Sequence, residues 1–229
     1  MLSIIIPTFN EEKRIRPTLE ALTKFLRWRC TFEIVVVDDG ADATAEIVRG
    51  FSKKNPKVKV IHLARSAGKG CAVRRGLLAA RGNEILVYDA DAAVPPSEIP
   101  KILRSLQTFD VVVGARKKSV GPFYRRLIRS GYNLFVRVLF GWSFSDTQCG
   151  FKALRRGAAR SLAREMRCDG YAFDVELIAL ARKHGFSIVE IPVEWKHVAG
   201  GPIERAGAPS KIANALRMLA ATIKIRLEA

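Results

Sequence analysis

A chain of 229 residues, 48% of them hydrophobic, is long enough for one large or two small domains with a real core. Its 39 Lys and Arg against 22 Asp and Glu leave a formal charge of +17, too large an excess for a merely soluble surface. Such a chain seeks polyanions: nucleic acid, anionic lipid or phosphorylated substrates. Cys30, Cys71, Cys149 and Cys168 have neither paired metal-ligand spacing nor the density of a disulfide framework, which argues for a reduced, cytosolic setting. Met1 leads straight into "LSIIIP", without the basic start and length of a secretory signal. No apolar run approaches the roughly 20 residues that span a bilayer, so the chain is not expected to cross a membrane by itself.

Short β-branched segments recur at Leu2–Ile6, Glu33–Val37, Val58–Leu63, Glu84–Tyr88 and Asp110–Val113, with helical patterning between the first four. This alternation predicts an α/β fold with a mostly parallel, doubly wound sheet. Sheets of that kind bind ligands at the carboxyl ends of their strands. Those ends read "PTFNEE", "DDGAD" and "DAD". Between the third and fourth strands, Gly68 and Gly70 flank Lys69 ahead of a predicted helix. Backbone N–H groups there could hold an anion, but the P-loop spacing is absent and the stretch by itself is expected to be an ordinary turn.

Farther on, "PFYRRLIRSGYNLFVRVLFGW" sets Arg125, Arg129 and Arg137 at multiples of four, with Leu127, Leu134 and Val138 on another face. The pattern fits a core helix with a solvated face or a helix lying in a membrane interface. "SKIANALRMLAATIKIRL" similarly puts Ile212, Leu216, Leu219, Ile223 and Leu227 on one stripe, with Lys211, Arg217, Lys224 and Arg226 as its cations. These are the peripheral amphipathic helices of the expected fold.

The stretch "NEILVYDADAAVPP" sharpens the question of chemistry. A predicted core strand ends in Asp89 and Asp91, one residue apart and so able to face one side. Two such carboxylates repel unless water screens them or a divalent cation with oxygen ligands sits between them. The spacing alone is equally that of a solvated loop whose aspartates make turn contacts.

Taken in order, "SIIIPTFNEE", "EIVVVDDGADAT", "AGKGCAVRRGLLAARG", "DAD", "VVVGAR", "DTQCGFKAL" and "GYAFDVELI" resemble the family-two inverting glycosyltransferases of GT-A (Rossmann-like) fold. Within them the chain is most similar to the dolichyl-phosphate (polyprenyl-phosphate) β-glucosyltransferases, with dolichyl-phosphate mannose synthases as close relatives. The resemblance spans nearly the whole chain. It implies one domain over 1–229, in which 1–115 bind the nucleotide sugar and 116–229 face acceptor and membrane, with a lid at about 198–210. Pro7, Phe9, Glu11, Val36, Asp38, Asp39, Lys69, Asp89, Ala90 and Asp91 would form the nucleotide-sugar pocket, joined by Arg205 and Lys211 from the lid. Asp89 and Asp91 would bind Mg2+ or Mn2+. Arg116, Arg126 and Ser130 would receive the acceptor phosphate. Asp89, Asp91 and Arg116 would carry the chemistry, with Asp146 and Asp174 as orienting or sugar-binding carboxylates. Two departures stand out. Ala41 replaces the serine frequent after "DDG", and Ala93 replaces a polar residue that mannose synthases can use as a metal ligand.

The implied reaction transfers glucose from UDP-glucose to dolichyl or polyprenyl phosphate at the cytoplasmic face of a membrane, the enzyme being peripheral on an anionic surface. A phosphate acceptor is already anionic at neutral pH and needs no general base. GDP-mannose with the same acceptor is the alternative. A non-catalytic module binding nucleic acid or membrane is the reading from another class. Nucleic acid is not expected as a partner, because no recognised motif for it is present and the arginines lie beside apolar faces rather than exposed aromatics.

Overall fold

The structure is a computed structural model that describes residues 1–117, 123–201 and 207–228, with backbone alone at 123–126 and 208. The strands are β1 (Leu2–Thr8), β2 (Phe32–Asp38), β3 (Val58–His62), β4 (Glu84–Val87), β5 (Val111–Arg116), β6 (Lys152–Arg155) and β7 (Ile188–Val193). The helices are α1 (Ile15–Leu26), α2 (Thr44–Lys54), α3 (Lys69–Ala79), α4 (Ile99–Ser105), α5 (Phe123–Phe140), α6 (Arg156–Glu165), α7 (Phe173–Lys183) and α8 (Ala208–Glu228). One seven-stranded sheet runs in the order β3-β2-β1-β4-β6-β5-β7. β6 is antiparallel to both neighbours and the remaining pairs are parallel.

Strand period 2 sorts the core. Ile4, Ile6, Ile34, Val36, Leu86 and Val112 face α1, α2 and α4, whereas Ile5, Val35, Val37, Ile85, Val87, Val111 and Val113 face α3, α6 and α7. The strands are apolar on both faces because helices cover both. α1 shows the matching helical spacing: Ile15, Thr18, Leu19, Leu22 and Leu26 are its buried stripe.

All five expected strands are present, and β5 extends beyond Val113 to Arg116. β6 and β7 carry no such sequence signal. β6 has four residues and opens on a buried lysine, and β7 is an edge strand interrupted by Pro192.

The two amphipathic helices pack together, with Tyr132 Oη and Thr222 Oγ1 2.7 Å apart and Arg226 Nε donating to the Leu139 carbonyl at 3.0 Å. Their expected apolar stripes point away from the core. Leu127, Ile128, Leu134 and Val138 of α5, and Ile212, Leu216, Ile223 and Leu227 of α8, are exposed, while Val136 and Ile225 face inward. Among the described residues no helix is long and apolar enough to cross a membrane.

Candidate active site

A cavity of about 890 Å³ opens at the carboxyl ends of β1, β2 and β4. Its walls bring together Pro7, Phe9, Glu11, Asp39, Lys69, Asp89, Ala90 and Asp91, eight of the residues picked out in the sequence. The 167–172 segment and the inner face of α8 close the far side.

The loop after β4 is held from several directions. Ala92 N–H donates to the Asp89 carbonyl at 3.2 Å and Ala93 N–H to Asp91 Oδ1 at 3.1 Å. Ala92 adopts φ 52°, the left-handed conformation that lets the chain turn back after Asp91. Thr18 Oγ1 of α1 donates to the Ala90 carbonyl at 2.7 Å, and Lys196 N–H to that of Ala93 at 2.8 Å. The Tyr88 hydroxyl donates to the Val94 carbonyl. Gly150 permits the carboxylate's position, since a Cβ there would sit 2.0 Å from Asp89 Oδ2.

Each aspartate has its own cation. Lys69 Nζ donates to Asp89 Oδ1 at 2.7 Å, and Arg14 Nη1 lies 3.8 Å from Asp91 Oδ2. Burial pushes both carboxyls up. Lys69, helped by Lys152 and Arg116, nevertheless takes Asp89 below the ordinary carboxylate value, whereas the charge of Asp89 adds to burial and raises Asp91. Burial opposes the charge of Lys69, but Asp89 and Asp174 prevail and hold it firmly protonated.

The glycine-flanked turn before α3 does hold an anion, and that anion is part of the chain. Asp39 accepts from Ala67 N–H at 2.6 Å, Gly68 N–H at 2.8 Å and Ser66 Oγ at 3.0 Å. Gly68 takes φ 99°, and a Cβ there would stand 2.3 Å from the Asp169 carbonyl. Asp39 thus fixes the turn that delivers Lys69 to Asp89.

Among the described residues, the other site residues picked out in the sequence lie outside that lining. Val36 and Asp38 are wholly buried and do not line the cavity. Val36 packs in the core, and Asp38 faces Thr8 Oγ1 at 2.8 Å and His62 Nδ1 at 3.0 Å. Arg116 and Asp146 form a bidentate pair, at 2.6 and 2.8 Å, beside Trp195. Burial raises the Asp146 carboxyl, but Arg116 outweighs it and the net shift is downward. Arg116 lines a small adjoining pocket that includes Asp89. Asp174 is buried against Lys152, away from the cavity lining. Ser130 and Lys211 are exposed outside it. Arg205 and the side chain of Arg126 lie outside the described residues.

Several site residues had not been picked out in the sequence. Arg14 lines the cavity and forks on Glu11, with Nε to Oε2 and Nη2 to Oε1 both at 2.5 Å. Its signal was the spacing of three between Glu11 and Arg14 at a helix start. Lys152 is buried, donating to the carbonyls of Thr147 at 3.0 Å and Cys149 at 2.7 Å as well as to Asp174. It ties down the segment that ends in Gly150. Glu176 accepts from Arg167 N–H at 2.7 Å and Cys168 N–H at 3.0 Å, which sets the 167–172 wall. The signal for Lys152 was a lysine opening an apolar strand. That of Glu176 was a second acid in "FDVEL".

Among the described residues no three His, Cys, Asp or Glu side chains cluster as metal ligands. The donors available are the carboxylates of Asp89 and Asp91, hard oxygen ligands that suit Mg2+ or Mn2+ when substrate oxygens and water complete the shell. Ala93 offers no ligating side chain and is itself buried.

The sequence matches "Glycosyl transferase family 2" over residues 3–163. It is 34% identical to the dolichyl-phosphate beta-glucosyltransferase of Drosophila melanogaster and 33% identical to that of Homo sapiens, over 88% of this chain and 69% of each relative. The chain thus spans about two thirds of the length of the relatives it matches. The fold is shared with glucosyl-3-phosphoglycerate synthase from Mycobacterium tuberculosis, solved with Mn2+, uridine-diphosphate-glucose and phosphoglyceric acid. That match has a TM-score of 0.77 at 18% identity and covers 99% of this chain and 79% of that one. The chain is therefore a GT-A-fold glycosyltransferase of family 2, and within that family it belongs with the dolichyl-phosphate β-glucosyltransferases.

Proposed function

We propose that this chain transfers glucose from UDP-glucose to the phosphate of dolichol or another long polyprenol, by a single displacement with inversion at the anomeric carbon. The carrying observation is the placement of Asp89 and Asp91 at a strand end inside the cavity, each beside a cation. Asp89 and Asp91 would hold Mg2+ or Mn2+, which when bound supplies charge neutralisation to the leaving diphosphate. Names of the relatives support the sugar and the acceptor, and the Mn2+ and UDP-glucose complex of the fold neighbour supports donor and metal.

The chain's own residues divide the work. Pro7, Phe9 and Glu11 offer one cavity wall to the nucleoside, while Lys69, kept protonated, is placed for a phosphate oxygen. Arg205 of the 198–210 lid and Lys211 in the first turn of α8 would approach the diphosphate, the lid excluding water on closure. Arg116, with Arg126 and Ser130 of α5, would meet the acceptor phosphate. Asp146 orients Arg116 through two hydrogen bonds. An acceptor that is already an anion asks no proton removal of Asp146 or Asp174.

The exposed apolar stripes of α5 and α8, interleaved with Arg and Lys, suit a reversible seat on an anionic cytoplasmic membrane face, where the acceptor resides. The test is incubation with polyprenyl phosphate and labelled UDP-glucose, GDP-mannose and other nucleotide sugars, with Mg2+, Mn2+ or chelator, followed by analysis of the lipid extract. Metal-dependent label from UDP-glucose supports the reading. Label from GDP-mannose alone, or none from any donor, overturns it.

A further inference from the structure

Arg14 has unfinished business in the cavity. Of its guanidinium nitrogens, Nε and Nη2 are committed to Glu11, whereas Nη1 is buried without a hydrogen-bond partner. Among the described residues, no other side chain that lines this cavity has an unpartnered buried polar atom. Buried donors in native proteins find acceptors, so an orphan N–H in a ligand cavity points to an acceptor that arrives with the ligand. The Asp91 oxygen at 3.8 Å is too distant for a hydrogen bond, yet it marks where that acceptor lies: beside the carboxylate opposite Lys69.

We infer that Arg14 binds the donor's diphosphate, its Nη1 donating to a phosphate oxygen while Glu11 holds the rest of the fork in plane. The inference rests on the nucleoside-diphosphate-sugar reading. Three features favour phosphate over base, ribose or sugar. Arg14 flanks Asp91, the carboxylate placed for the cation that a diphosphate would share. Its guanidinium is a permanent cation that keeps the N–H groups of Nη1 beyond the two bonds to Glu11, a charge-assisted donor suited to an anionic phosphate oxygen. It also stands at the start of α1, where the helix dipole favours an anion. Lys69 and Arg14 then form two jaws, one on each side of the aspartate pair, Lys69 beside Asp89 and Arg14 beside Asp91. With Ala93 contributing no ligand, this second cation gives the diphosphate a hold that does not depend on the metal shell.

Arg14→Gln tests the assignment through binding rather than turnover. UDP is titrated by calorimetry at saturating Mn2+, uridine is followed by ligand-observed NMR, and Mn2+ alone is followed by electron paramagnetic resonance. Loss of one charge-assisted hydrogen bond weakens UDP about ten- to hundredfold. Uridine affinity is unchanged, and Mn2+ affinity is unchanged or stronger because a positive charge has left the carboxylates. Equal losses for uridine and UDP, no loss for either, or a fall in Mn2+ affinity that matches the fall in UDP affinity overturns the assignment. The first outcome would make Arg14 a general support of the pocket, and the last a positioner of Asp91. Should R14Q fail to fold, R14K keeps the charge without the fork, and a several-fold loss confined to UDP is then expected. Failure of the native protein to bind UDP with Mn2+ overturns instead the donor reading on which the inference stands.

Discussion

Replacing Lys152 by Met removes one half of a buried ion pair and leaves the shape nearly intact. Lys152 and Asp174 are 1% and 5% exposed, and the ammonium group also satisfies the carbonyls of Thr147 and Cys149. The variant strands a carboxylate and two carbonyl groups in the core. Breaking a buried pair from one side costs about 3–5 kcal/mol, against a total stability of about 5–15 kcal/mol for a domain. Urea denaturation of K152M should therefore show a large fall in midpoint with little change in slope. Adding Asp174→Leu removes the stranded charge, so the double variant should recover much of the loss. Acidity gives a second handle. Burial raises the Asp174 carboxyl even with Lys152 present, and without Lys152 it rises further. A carboxyl with a raised folded-state pKa favours folding while protonated and loses that contribution as pH climbs through the folded value. The K152M deficit should accordingly be greatest near neutrality and shrink on acidification below the folded value. A deficit under about 1 kcal/mol, or one that the double variant fails to relieve, would refute a buried charged pair at this position.

Other expectations follow from the same geometry. Asp91→Ala should leave thermal unfolding near normal, because Asp91 is partly exposed and receives one backbone hydrogen bond, yet reduce transfer at least about hundredfold; near-normal turnover with unchanged metal dependence would end its role as a metal ligand. Gly150→Ala drives a methyl group to 2.0 Å from Asp89 Oδ2, so Mn2+ binding followed by electron paramagnetic resonance should weaken sharply while the fold survives. Leu216→Ser with Leu227→Ser should reduce flotation with anionic vesicles, since each buried leucine contributes about 1.5–3 kcal/mol, and salt should weaken what remains; unchanged flotation would show that α8 does not enter the membrane.

Strands buried on both faces announce themselves as apolar β-branched runs, which is why β1 to β5 were legible. β6 and β7 were not. Lys152 at the head of β6 looks like a surface residue until the carboxylate of Asp174, distant in sequence, is folded onto it. Pro192 similarly argues against a strand until β7 is known to lie at the sheet's edge. The stripes of α5 and α8 could be read from spacing, but spacing reports only that one face is apolar. Whether that face meets the core or the surroundings depends on packing, and here Leu134 and Leu216 remain exposed while Val136 and Ile225 turn inward.

The site was legible where it sits on strand ends and illegible where function depends on which of two adjacent side chains the pleat turns inward. Asp38 and Asp39 show this. Asp38 belongs to β2 and is directed into the sheet's interior, where Thr8 and His62 receive it. Asp39 begins the loop, faces the cavity and collects the N–H groups of the turn before α3. Neighbouring residues of identical chemistry thus end on different tasks, one closing the core and one aiming Lys69. A motif of two aspartates cannot distinguish them, because the deciding quantity is the residue at which β2 stops. The same logic applies to Arg14, Arg116 and Lys152, three cations whose charges look alike in sequence. Arg116 is taken by Asp146 in a closed bidentate pair, and Lys152 by one carboxylate and two carbonyl groups. Arg14 keeps a buried donor without a partner. Counting partners rather than charges therefore separates Arg14, with a buried donor still unmatched, from Lys152, whose bonds are spent inside the protein, and from Arg116, whose carboxylate partner sets the direction in which it would meet an acceptor.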